Sequence, residues 1–76
     1  MCLERYRTIL QYIRRNPGCT VQDIEAYFDF GVALNTINYE INTLVHNQKI
    51  TIDMINHRRH FNAIAENGSV NVLRDD

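Results

Sequence analysis

Residues 20–50 read TVQDIEAYFDFGVALNTINYEINTLVHNQKI, and the spacing of their apolar residues decides the fold. Thr20 opens a helix: its hydroxyl reaches the backbone N–H of Asp23, and the Asp23 carboxylate reaches back as a variant capping box. Ile24, Tyr27 and Phe28 give that helix one apolar face, and it runs out at Asp29-Phe30-Gly31. Gly31 takes positive φ cheaply, so it is expected to be the pivot. A longer helix follows from about Ala33 to Gln48. Leu34, Ile37, Ile41, Leu44 and Val45 form its inward stripe at helical spacing. The far side carries Asn35, Tyr39, Asn42 and His46, with Thr36 and Asn38 on the flanks.

Working outward, Leu3, Tyr6, Ile9, Leu10 and Ile13 mark a first helix from Leu3 to Asn16. Glu4 in its first turn and Arg14-Arg15 in its last suit the helix dipole, and Asn16-Pro17-Gly18 ends it. After the long helix the period changes to 2. Ile50, Ile52 and Met54 alternate with Thr51 and Asp53 as a half-buried strand. A second strand runs from His60 or Phe61 to Ala65, with Phe61, Ala63 and Ala65 on one face. Asn56-His57-Arg58-Arg59 connects the two strands as a hairpin. Asn67-Gly68-Ser69 reads as a turn, beyond which Val70, Val72 and Leu73 are expected to dock weakly and the end to fray. The expected core is Leu3, Tyr6, Leu10, Ile13, Ile24, Phe28, Ile37, Ile41, Leu44, Ile52 and Phe61.

Length and charge narrow the function. The chain has 76 residues, of which 45% are hydrophobic, enough for one modest core. One domain per about 100–200 residues is usual, so two domains are excluded. No apolar run approaches the ~20 residues that span a bilayer, and no secretory signal opens the chain. A cytoplasmic protein without membrane contact is expected. The formal net charge is −1. Residues 1–65 carry seven bases and six acids, and three more acids follow in Glu66, Asp75 and Asp76. Cys2 and Cys19 are too few for a disulfide scaffold and read as free thiols, Cys19 as a small packing residue. His57, His60 and Asp53 lack the ligand count of a metal centre. There is no phosphate loop, no paired-carboxylate pattern and no nucleophile with a base. An enzyme, a cofactor and a small-molecule substrate are therefore not expected, and so short a chain leaves little room for an effector pocket.

The order helix, helix, pivot, helix, hairpin makes the chain α+β. It resembles the winged helix-turn-helix DNA-binding domains of small bacterial and phage regulators, such as the MarR-like group and the short fimbrial-operon regulators. Thr20 to Ile50 resembles the family's second helix, turn, recognition helix and first wing strand, with Gly31-Val32 at the turn. RRHFNAIAENG, Arg58 to Gly68, resembles the basic wing tip and returning strand. Ala33 stands where the family has a capping Ser or Thr, and no Arg or Lys lies between Ala33 and Gln48. The resemblance implies three helices followed by a two-stranded antiparallel wing over residues 1–68, with 69–76 a short acidic tail, partly disordered.

It also implies a transcriptional regulator that binds double-stranded DNA, as a homodimer on a two-fold site. Asn and Thr are weak helix formers, so several on one face suggest that something other than solvation fixes them. Asn bonds bidentately to adenine in the major groove, and Arg is favoured at phosphates and in the minor groove. The expected DNA contacts are Asn35, Thr36, Asn38, Tyr39 and Asn42 on the third helix and His57, Arg58 and Arg59 on the wing. The competing reading is a winged-helix module that binds a host or regulatory protein. Near-neutral charge, the acidic tail, and Glu40 carried on the third helix favour it, with Tyr27, Phe30 or Tyr39 as an aromatic anchor.

Overall fold

A computed structural model describes residues 3–65. It contains α1 (Leu3–Arg15), α2 (Val21–Tyr27), α3 (Leu34–His46), β1 (Ile50–Ile55) and β2 (Arg58–Ala63). Three helices thus precede a two-stranded antiparallel sheet, an α+β layout. Cys2, the boundary near residue 68 and the acidic tail lie outside the described residues.

The caps explain the helix limits. Thr20 accepts from the Asp23 N–H, and the Thr20 N–H donates to Asp23 Oδ2 at 3.0 Å, completing the capping box. At the other end of α2, Asp29 N–H donates to Ala26 O and Phe30 N–H to Glu25 O, at 2.9 and 2.8 Å. These are the paired bonds of a Schellman ending. The left-handed residues are Asp29 (φ 55°) and Phe30 (φ 58°), not Gly31 as the sequence suggests. Gly31 serves close approach instead: a Cβ there would lie 3.2 Å from the Phe28 carbonyl oxygen.

Ala33 is the N-cap of α3, and its side chain makes no capping bond. Ala33→Ser would satisfy an open N–H and is expected to add about 1 kcal/mol. A thermal melt should then move up by roughly 4–8 °C.

The core gathers Ile9, Leu10, Ile13, Cys19, Ile24, Ile37, Ile41, Leu44, Ile50 and Phe61. Phe61 is the largest fully buried side chain, and its burial contributes about 3 kcal/mol. Tyr6, Phe28 and Ile52 pack against this core at partial exposure. Leu3, in the first turn of α1, is exposed.

The inward stripe of α3 is rotated from the expected one. Leu34 and Val45 are 45% and 39% exposed, whereas Glu40 is 0% exposed. Glu40 Oε2 accepts from Arg5 Nε at 3.2 Å, and among the described residues Oε1 has no hydrogen-bond partner. Glu40 lies three residues after Ile37 and four before Leu44, so it shares their face. Its charge is inside and offers nothing to a partner at the surface.

The hairpin also differs from the expected one. Asn56 and His57 alone form its turn, both at positive φ (52° and 67°), and β2 already includes Arg58 and Arg59. Two left-handed residues match the twist of the flanking strands, which tightens the turn to two residues. Ala65 lies beyond β2 and is exposed.

On its other edge, β2 meets the segment before α2. Gly18 (φ 81°) donates its N–H to Phe61 O, and Phe61 N–H donates to Cys19 O, both at 2.8 Å. The Cys19–Phe61 bridge thereby ties the end of α1 to the hairpin. Burial, then the nearby Asp23 charge, pushes the Cys19 thiol up to about 11. At pH 8 the thiolate is then about a hundredfold scarcer than in the open chain. Alkylation at Cys19, followed by mass spectrometry, should proceed only as fast as the native fold opens.

Candidate nucleic-acid interface

Three elements meet at one surface. On α3, Asn35, Tyr39, Asn42 and His46 are exposed, and Thr36 and Asn38 are half-buried flanks. With Glu40 inside, this outer face carries no acid or Lys/Arg. Its Asn and Thr side chains offer donors and acceptors directly to an incoming ligand.

Alternation along β2 separates the two arginines. Arg59 shares a face with Phe61, and Arg58 points from the opposite face beside Ile55. They are not a pair at the tip, because each strand residue reverses side-chain direction. Arg59 Nη2 donates to Asn38 Oδ1 at 2.9 Å, and its guanidinium carbon lies 5.8 Å from the Phe61 ring centroid. Ring and amide together fix the cation beside α3 while leaving further N–H donors open. Arg58 is exposed. His57, in the turn, joins Arg58, Arg59, Val21 and Gln22 around a shallow cleft of about 220 Å³ between α2 and the hairpin.

Asn38 therefore acts differently from the other asparagines. Its carbonyl oxygen already accepts from Arg59 and holds that cation beside α3. Among the described residues, no bond between side chains engages Asn35 or Asn42. Tyr39 offers a half-exposed ring, and its backbone carbonyl accepts from Thr43 Oγ1 at 2.9 Å.

The outer face of the hairpin is a polar ladder. His60 Nδ1 donates to Gly18 O at 2.8 Å, and Asn62 Nδ2 donates to Asp53 Oδ2 at 2.9 Å. The first bond fixes the His60 ring against the backbone instead of turning it towards His57. Among the described residues, no group of three or more His, Cys, Asp or Glu is placed to hold a metal ion. No described helix is long and apolar enough to cross a membrane.

Asn38–Arg59 and the Gly18–Phe61–Cys19 bonds are the features that sequence reasoning missed. Each links residues remote in sequence, and the alternation of Arg58 and Arg59 was hidden as well, because both were assigned to the hairpin connection and not to a strand. In comparisons with known proteins, no family model, no curated protein and no solved structure matches the chain.

Proposed function

We propose that this chain is a winged helix-turn-helix protein of a small transcriptional regulator and that it binds double-stranded DNA. α3 lies in the major groove, and the β1–β2 hairpin lies on the flanking backbone or in the minor groove. The observation that carries this reading is the Arg59–Asn38 bond, which joins a hairpin cation to the polar face of α3 in one surface. Asn35 and Asn42 read base edges, Tyr39 and Thr36 meet sugar and phosphate, and His57, Arg58 and Arg59 meet the backbone. Two copies on a two-fold site supply the affinity that one copy with few cations lacks.

The test is fluorescence anisotropy of a mixed-sequence duplex at ~50 and ~200 mM salt, where a salt slope of roughly two to four counterions per monomer is expected. Absence of binding at the lower salt, with the protein folded, overturns the reading. Once a preferred site is selected, Asn42→Ala should lose roughly 1–3 kcal/mol of discrimination at one base position and little affinity elsewhere.

A second reading, a module that binds protein, is favoured by one observation. Leu34, Val45 and Met54 leave apolar surface exposed on α3 and on the hairpin. The buried position of Glu40 removes the acidic α3 surface that this reading otherwise uses.

A further inference from the structure

A groove of about 550 Å³ runs between α1 and the end of α2, lined by Arg7, Thr8, Gln11, Tyr12, Arg15, Asn16 and Tyr27. Its size lies within the range of small-molecule sites and exceeds what so short a chain is expected to offer. None of its lining residues is among the proposed duplex contacts. Three kinds of group converge in it. Arg7 and Arg15 stand eight residues apart, about 12 Å along the helix. Neither is ion-paired with a described residue.

Between them in axial position, Tyr12 packs against Tyr27 with ring centroids 4.8 Å apart and planes tilted by 46°. Tyr27 also meets Phe28 edge-on, yet remains 55% exposed, so much of its ring surface is free to stack. Amides complete the set. Gln11 presents both a donor and an acceptor, and Asn16, whose Nδ2 donates to Tyr12 O at 2.9 Å, keeps its carbonyl oxygen available. Asp23 is the acid whose field reaches Tyr12, and it does not line the groove.

A simple anion would use the guanidinium groups and ignore the rings. An aliphatic acidic peptide would use the guanidinium groups and the amides but leave the exposed Tyr27 ring without a stacking partner. A base joined to a phosphate uses all three: the base face on Tyr27, the base edge on an amide, and the phosphate on Arg7 or Arg15. We infer that the α1–α2 groove binds a nucleobase–phosphate unit, as a free nucleotide or as part of a single strand, independently of the duplex surface.

The experiment is a titration of the isotope-labelled protein, followed by amide chemical shifts, with four probes. Adenosine 5′-monophosphate and an adenylate trinucleotide carry the full chemistry, whereas adenosine and inorganic phosphate each lack half of it. Saturable shifts confined to α1 and to the end of α2 are expected with the first two. Equal affinity for both would identify the free nucleotide, and tighter binding of the trinucleotide would identify a single strand. Tyr27→Ala and, separately, Arg7→Gln should weaken binding at least about fivefold without altering duplex affinity. Both side chains are exposed, so the spectrum itself verifies that the fold survives. The inference is overturned by no shifts, by equal affinity for adenosine or inorganic phosphate, by shifts confined to α3 and the hairpin, or by unchanged affinity in both variants.

Discussion

Arg5→Met is expected to destabilise the protein by about 3 kcal/mol, near the lower end of the cost of stripping one partner from a buried ion pair. Glu40 is fully buried and its Oε2 accepts from Arg5, while among the described residues Oε1 has no partner to take over the charge. Arg5 is partly exposed, with 30% of its side chain accessible, which keeps the estimate at the lower end. In a domain of this size the melting temperature should fall by roughly 12–24 °C.

The reverse comparison carries the physical content. In Arg5→Met/Glu40→Met both charges leave together, and the double variant should match the parent or exceed its stability by roughly 1–4 kcal/mol. Chemical denaturation of the parent, both single variants and the double variant gives the coupling energy directly. A loss below about 1 kcal/mol in Arg5→Met would mean that the pair behaves as a solvated surface bridge.

Arg59→Ala is expected to weaken duplex binding by about 1.5–3 kcal/mol, the range for a hydrogen bond to a charged group. The loss should be similar across sequences and should lower the salt slope by about one, the signature of a phosphate contact. Asn38→Ala separates positioning from reading. It frees the guanidinium from the 2.9 Å bond that holds it beside α3, so affinity should fall without a change in base preference. A base-specific loss in Asn38→Ala would instead make Asn38 a reader. Arg58 projects from the opposite face of β2, so losses from Arg58→Ala and Arg59→Ala should add.

Much of the architecture was legible in local signals. Thr20 and Asp23 mark the start of α2, Asn16-Pro17-Gly18 closes α1, and the change of period after Gln48 announces the hairpin. Each signal acts over a few residues, so the sequence carries it whole. The phase of α3 was less legible. Hydrophobicity alone ranks Val45 and Leu34 above Glu40 for the interior, although Glu40 stands at the right intervals from Ile37 and Leu44. The outward side chains of α3 could be named because a rotation of a few tens of degrees leaves the opposite face outward. The hairpin tip was misjudged because a turn of two left-handed residues without glycine carries a weak sequence signal.

The sequence by itself determined three helices followed by a hairpin, their order, most of their caps, the main core residues and the polar outer face of α3. Periodicity and capping are local, and their free energies act before any distant contact forms. Tertiary structure alone decided that Glu40 is internal, that Gly18 and Cys19 bond to Phe61, and that Arg59 is braced on Asn38. The Arg5–Glu40 and Asn38–Arg59 bonds join residues 35 and 21 positions apart. Such pairings are selected by the burial and geometry of the packed chain, because a buried charge or backbone group must find its partner wherever packing brings one within reach.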